Sequence, residues 1–173
     1  MEKDPKTENG MTKNGYEALL RESSDSYFGV LSSDFLQQSL GVLSSTEPVW
    51  VHEDDTVMDV INVLKENKIG SVVVTDEDGK IKGIFTERDC LTKVLGTDLD
   101  LCETPISEIM TKDPVTQPIT ATIAYALHLM SWGGFRHIPI VDDDGVPIGM
   151  VSVKDFVEFI VEKMDKDIGK LKS

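Results

Sequence analysis

The sequence predicts an α+β fold made of two copies of one small unit, each a three-stranded sheet with two helices. The first observation is a constant offset. Pro48-Val49 returns as Pro114-Val115, and Asp89 returns as Asp155, 66 positions later in both cases and without a gap. The second is that helical apolar spacing alternates with β-rich runs in each copy. A unit of this kind buries only one face well, so we expect the two copies to pack around a pseudo-two-fold axis.

The elements of the first copy follow from local patterns. Residues 54–69 open with Asp and Thr capping candidates and place Val57, Val60 and Leu64 on one helical face. The run SVVVTDEDGKIKGIFT predicts two strands joined by a DEDG turn. The segment ERDCLTKVLG then predicts a short helix closed by Gly96.

The second copy repeats this order. It predicts a helix near 121–132, a strand HIPIV, a DDDG turn, a strand IGMVS and a helix from about 153 to 164. Outside the copies, scattered apolar residues between serines predict one or two short helices that dock on the main domain or on a second subunit. The predicted divisions are a disordered tail at 1–15, a helical extension at 16–43, copies at 44–105 and 106–164, and a charged tail at 165–173.

Composition restricts the classes of partner. The chain has 173 residues, and its 17 basic and 31 acidic residues give a net charge of −14, which disfavours nucleic acid and anionic membranes as partners. Cys90 and Cys102 fit no CxxC or zinc pattern, which favours reduced thiols in the cytoplasm. The N-terminal segment lacks the apolar core of a signal peptide, and no apolar run reaches the ~18 residues of a membrane span.

A seven-residue motif occurs twice, as GIFTERD at 83–89 and as GMVSVKD at 149–155. It aligns Thr86 and Asp89 with Ser152 and Asp155. One interpretation is an ordinary capping box at the start of a helix. The other is a ligand site, because a carboxylate beside a helix N-terminus can accept two hydrogen bonds from a ribose diol. The pattern alone leaves both open.

Together, the PV pairs, the amphipathic helices, the D-x-D-G turns and the G-h-h-[ST]-x-x-D endings resemble a tandem cystathionine-beta-synthase (CBS) domain pair. This arrangement is also called a Bateman module. The resemblance covers about residues 44–164, and no catalytic domain is expected in the remaining residues of the sequence. It implies a stand-alone CBS-pair protein whose ligand is AMP or another adenine nucleotide, with no covalent cofactor.

The resemblance also implies two ligand sites between the copies, in which the purine lies against apolar atoms of the opposite copy. The first would join Ile84, Thr86 and Asp89 to Ala126, Phe135, Arg136 and His137. The second would join Met150, Ser152 and Asp155 to Val60, Ile69, Gly70 and Ser71.

The two implied sites differ in charge. Arg136 and His137 are expected to contact phosphate, helped by Arg88 or Lys154, whereas the corresponding Gly70 and Ser71 carry no charge. The alternative is that Arg136 pairs with a surface carboxylate and that His137 only caps a strand.

No nucleophile–base pair, metal-ligand cluster or phosphate-cleaving loop is recognisable, so we expect no catalysis. The expected function is that of a homodimeric regulatory module that senses adenine nucleotides and changes its affinity for a partner protein. One alternative is a scaffolding module that dimerises without a ligand. The other is a sensor of S-adenosylmethionine, which shares adenosine with AMP but carries a cation where AMP carries phosphate.

Overall fold

The computed structural model of the chain describes residues 33–43 and 47–171. The predicted tail at 1–15 and the first part of the predicted helical extension, at 16–32, lie outside these residues. The remaining part of the extension forms helix α1 (Ser33–Leu36) and a 3-10 turn (Leu40–Val42). Phe35, Leu40 and Leu43 are buried in the core of the second copy. Within the described residues, the extension therefore docks on the main domain.

The first copy has the predicted order of elements. Strand β1 (Trp50–His52) leads to helix α2 (Val57–Asn67), then to strands β2 (Ser71–Thr75) and β3 (Ile81–Thr86) and to the short helix α3 (Glu87–Asp89). A capping box between Thr56 and Asp59 starts α2. A π-helical turn continues α3 through Val94, and Gly96 follows it with φ of 81°. Glycine tolerates this left-handed conformation, so it closes the helix as predicted.

The second copy follows strand β4 (Thr111–Lys112). Its own elements begin with strand β5 (Gln117–Pro118) and end with the longest helix of the described chain. They are β5, helix α4 (Ile123–Gly133), strands β6 (His137–Val141) and β7 (Pro147–Ser152), and helix α5 (Val153–Leu171). Helix α5 continues beyond the predicted end near 164, because no proline interrupts it after Met164.

The two copies agree in fine detail. In each, the first strand pairs parallel with the second, which pairs antiparallel with the third. A bulge falls at Val74/Thr75 in one copy and at Ile140/Val141 in the other. Each bulge position lies 66 residues from its counterpart. The repeat seen in the sequence is therefore a repeat of backbone geometry.

One prediction needs correction, because the sheet of the first copy has four strands and not three. Strand β4 adds to β3, where Lys112 is the partner of Gly83. A β-carbon on Gly83 would lie 2.2 Å from Met110 Sδ and 3.1 Å from the Thr111 carbonyl oxygen. The missing side chain of Gly83 is thus what lets this segment approach the sheet.

Each copy also receives the segment that lies ahead of the other copy's first strand. Leu40 enters the core of the second copy, whereas Ile106 enters the core of the first, and both are fully buried. Ser39 bridges to Thr122, and Pro105 bridges to Thr56. These contacts are also related by 66 residues, so the repeat extends further back than Pro48. The two cores consequently depend on both halves of the chain.

The two sheets meet through a small third cluster. Val73 and Ile84 of the first copy pack against Met150 of the second. The Ile81 N–H donates a hydrogen bond of 3.4 Å to the Gly145 carbonyl oxygen. Ile84 and Met150 are repeat equivalents, so this contact lies near the pseudo-two-fold axis and brings the ends of β3 and β7 to the interface between the copies.

Candidate functional site

The repeated motif places a capped carboxylate at the end of β3. Thr86 is the N-cap of α3, and Asp89 Oδ2 accepts hydrogen bonds from the Thr86 amide at 2.9 Å and from Thr86 Oγ1 at 2.7 Å. The Asp89 amide donates in return to Thr86 Oγ1 at 3.3 Å. The capping interpretation is therefore correct. Because these bonds fix the side chain, they also aim the carboxylate at the interface between the copies.

The second copy has the same arrangement at the end of β7. Asp155 Oδ2 accepts from the Ser152 amide at 2.6 Å and from Ser152 Oγ at 2.8 Å. Capping and ligand binding do not exclude each other here, because the cap uses one carboxylate oxygen and leaves the other available for further contacts.

Each capped carboxylate lines a cavity. Cavity A, at Asp89, has a volume of about 360 Å³, and its wall combines the end of β3 with the turn that follows α4 of the other copy. Its size falls within the usual range of small-ligand sites. Six of the seven predicted residues line it, namely Ile84, Thr86, Asp89, Phe135, Arg136 and His137.

Cavity B, at Asp155, is the pseudo-symmetric counterpart, with a volume of about 480 Å³. It joins the end of β7 to the turn that follows α2. Six of the seven residues predicted for the second site line it, namely Met150, Ser152, Asp155, Ile69, Gly70 and Ser71.

Val60 and Ala126 line neither cavity, which corrects their predicted place in the sites. They are repeat equivalents on the inner faces of α2 and α4, and both are fully buried in the cores. Helical periodicity explains the difference, because the positions that face the sheet of their own copy cannot also face the cavity between the copies.

Arg136 and His137 lie between the two cavities and contribute to the walls of both. The prediction gave them to the first site alone. Arg136 is exposed and has no carboxylate within ion-pair distance in the part of the chain that the structure describes. Its guanidinium is therefore available to an anionic group in either cavity. The alternative of a surface ion pair is not what the structure shows.

His137 is half-buried, and its surroundings favour the neutral imidazole. Burial lowers the pKa of His137, and the positive charge of Arg136 lowers it further, whereas Asp155 and Glu87 oppose the shift. Its Nε2 lies 3.3 Å from where a β-carbon on Gly70 would be. Gly70 thus leaves room for the ring beside cavity B, so that a neutral donor or acceptor faces the ligand space.

The walls also include residues that the sequence analysis missed. Thr111, Asp113 and Val115 line cavity A. Asp113 has φ of 47°, an uncommon value for a residue with a side chain. Pattern recognition missed this segment because it reaches the cavity through strand β4. Lys68 and Glu87 line cavity B, and the position of Glu87 directly after Thr86 was the one available signal.

A second set of contacts distinguishes the cavities. Arg88 Nη1 donates a hydrogen bond of 2.7 Å to the Gly134 carbonyl oxygen and so joins the copies across cavity A. The corresponding Lys154 forms an exposed ion pair of 3.2 Å with Glu158 on its own helix. The basic residues expected to help Arg136 are therefore both already engaged.

The described residues hold neither a metal-ligand cluster nor a membrane-spanning helix. No three or more His, Cys, Asp or Glu side chains gather there in an arrangement suited to a metal ion. No helix in the same residues is both long and apolar enough to cross a membrane.

Comparison with known proteins identifies the architecture. The family model for the CBS domain matches the chain twice, at residues 40–96 and 106–162. A mitochondrial CBS domain-containing protein of Arabidopsis thaliana is 31% identical over 140 residues, which cover 79% of this chain and 68% of that protein.

Solved structures agree with the family match. The CBS-domain containing protein of Agrobacterium tumefaciens is similar with a TM-score of 0.66 and 32% identity, covering 75% of this chain and 98% of that one. A CBS domain protein of Pyrobaculum aerophilum, complexed with AMP, gives a TM-score of 0.62 and 28% identity, covering 68% of this chain and 88% of that one.

Proposed function

Because the chain belongs to the CBS-domain family, whose model matches both of its copies, we propose that it is a non-catalytic regulatory module that binds an adenine nucleotide. The observation that carries the proposal is the pair of capped carboxylates, each in the wall of a cavity between the copies. A carboxylate held at a helix N-terminus can accept a ribose diol. The AMP complex of the relative from Pyrobaculum aerophilum supports this choice of ligand.

Charge favours a phosphate-bearing ligand over S-adenosylmethionine. Arg136 presents an unpaired guanidinium, within the described residues, to both cavities. A nucleotide phosphate makes charge-assisted hydrogen bonds to such a group, whereas the sulfonium of S-adenosylmethionine is repelled by it. AMP, ADP and ATP are therefore the proposed ligands.

Regulation follows from the position of the cavities. A ligand that contacts both copies favours the arrangement that brings their walls together, and it shifts the population of shapes by its difference in affinity for them. We propose that a partner protein responds to this shift in the population of shapes. No feature of the described surface identifies this partner protein.

A homodimer is the proposed assembly. Leu91 and Leu95 after β3 are exposed, and so are their repeat equivalents Val157 and Val161 on α5. Two apolar pairs related by the pseudo-two-fold axis suit a symmetric contact with a second copy. The same observation favours the second candidate function, a scaffolding module that acts through dimerisation without a ligand.

Isothermal titration calorimetry with AMP, ADP, ATP and S-adenosylmethionine tests the proposal. We expect micromolar binding of at least one nucleotide, and loss of that binding in the double variant Asp89→Asn, Asp155→Asn, which retains acceptor oxygens for the helix caps. Arg136→Ala is expected to weaken nucleotide binding about 10-fold or more and to spare adenosine. Absence of binding by all four ligands would favour the scaffolding function.

A further inference from the structure

The two capped carboxylates differ in one contact. Lys93 Nζ lies 2.9 Å from Asp89 Oδ1 and 3.0 Å from Thr111 Oγ1. The ion pair is sheltered on the carboxylate side, because the Asp89 side chain is 12% exposed. Lys93 thus joins the carboxylate to a residue of the cavity A wall.

Position 93 has a different character in the second copy. Its equivalent, 66 residues later, is Phe159, which packs against the core of the second copy and stacks on Phe35 with ring centroids 5.7 Å apart. An aromatic side chain at this place cannot pair with a carboxylate. Asp155 Oδ1 accordingly has no hydrogen bond or ion pair among the described residues.

The acceptor capacity of the two carboxylates is therefore unequal. A carboxylate offers about four lone-pair sites, and the cap uses two of them on Oδ2 in each copy. Both sites on Asp155 Oδ1 are free, whereas Lys93 takes one of the two on Asp89 Oδ1. A ribose diol donates two hydrogen bonds, so it needs the pair of sites that Asp155 offers.

We infer that cavity B is the ribose site of this chain and that Lys93 is a specificity-determining residue that restricts cavity A. The inference rests on the proposed function and specifies it further. A diol enters cavity A fully only if the Lys93 ammonium leaves Asp89, which breaks a charge-assisted contact and a hydrogen bond to Thr111. A wild-type chain consequently binds one ribose-bearing ligand, at Asp155.

Calorimetry with AMP and with 2′-deoxy-AMP provides the test, because the second ligand lacks one hydroxyl of the diol. Wild type is expected to bind one AMP per chain and to prefer AMP over 2′-deoxy-AMP by about 10-fold. Asp155→Asn removes an ionised acceptor and is expected to lose both the tight binding and most of the preference.

The decisive variant is Lys93→Met, which frees Asp89 Oδ1 while keeping the length of the side chain. It is expected to bind two AMP per chain, and the double variant Lys93→Met, Asp155→Asn to bind one with the diol preference restored. Lys93→Gln provides a second test with a neutral donor to Thr111. Lys65→Met, which removes an exposed charge on α2 away from both cavities, is the matched control and stays at one site.

The outcomes separate this inference from the proposed function. Two sites in wild type, one site in folded Lys93→Met and Lys93→Gln, or an Asp155→Asn protein that keeps its preference for AMP would each overturn the role of Lys93. Nucleotide binding itself would stand in all three cases. If neither wild type nor any variant binds AMP, this inference fails, and if ADP and ATP do not bind either, the proposed function fails with it.

Discussion

Cavity A and cavity B are framed by equivalent backbone, yet they offer different chemistry. Thr86 and Asp89 match Ser152 and Asp155, and both carboxylates are fixed by the same hydrogen bonds to the strand end. The residue one helical turn later is Lys93 in one copy and Phe159 in the other. The cap therefore fixes where a carboxylate points, whereas residues outside the cap decide what it can bind.

The same contrast appears in the cores. Each core buries an apolar residue from the segment ahead of the other copy's first strand. Leu40 enters the core of the second copy, and Ile106 enters the core of the first. The segment around Ile106 continues into strand β4 and adds Thr111 and Asp113 to the wall of cavity A. One exchanged segment therefore supplies packing, while the other supplies packing and part of a candidate site.

The largest expected effect comes from breaking these exchanged contacts. Leu40→Ala and Ile106→Ala are each expected to lower the free energy of unfolding by about 2–5 kcal/mol, because each empties a fully buried site. Hydrogen exchange is the sharper measurement. Leu40→Ala should speed exchange in β6 and β7, and Ile106→Ala in β2 and β3. Faster exchange in the copy that follows each residue in the chain would contradict the exchange of segments.

Gly83→Ala tests whether the additional strand of the first sheet depends on the close approach that Gly83 permits. A β-carbon there meets Met110 and the Thr111 backbone, so the substitution is expected to cost about 1–3 kcal/mol and to loosen β4. Chemical denaturation measures the change. Gly41→Ala is the control, because its nearest contact, 3.4 Å to Ile119, is ordinary. Equal stability of the two variants would show that β4 does not depend on Gly83.

The melting temperature at a series of pH values tests the protonation of His137, which lies in the wall of both cavities. His137 has a pKa below its usual 6.5 in the folded chain, so the unfolded chain binds the proton first as the pH falls. The stability that neutral His137 contributes is complete above pH 6.5 and is lost as the pH drops through the folded pKa. His137→Gln should therefore flatten the decline of melting temperature between pH 7.5 and 5. A parallel decline in both proteins would contradict this.

Thiol labelling provides the smallest effect. Cys102 is exposed, whereas Cys90 is partly buried beside Asp89. Burial raises the pKa of Cys90, and the negative charge of Asp89 raises it further, so less of the reactive thiolate is present near neutral pH. We expect Cys102 to react several times faster with a maleimide, as followed by mass spectrometry. Replacing Asp89 with Asn should narrow the difference by removing the neighbouring charge.

Much of this architecture could be predicted because the information is local or repeated. Thr56 and Asp59, Thr86 and Asp89, and the turn glycines each act within a few residues, so their patterns were sufficient to find the helices, turns and caps. Twelve of the fourteen predicted site residues line a cavity, because the resemblance to a CBS pair implied their positions and the repeat supplies equivalent positions in both copies. The two exceptions are Val60 and Ala126, because a helical face toward the core and one toward a cavity look alike in sequence.

Local sequence was sufficient to specify the repeated unit, its turns and the two capped carboxylates, because short-range hydrogen bonds and side-chain periodicity depend on neighbouring residues. Tertiary structure alone decided that Ile106 and Leu40 cross between the copies and that Arg136 stands between both cavities. It also decided that Lys93 reaches Asp89 and Thr111 together. Apart from the local i,i+4 pair of Asp89 and Lys93, these contacts join residues far apart in the chain, and their geometry exists only in the folded molecule.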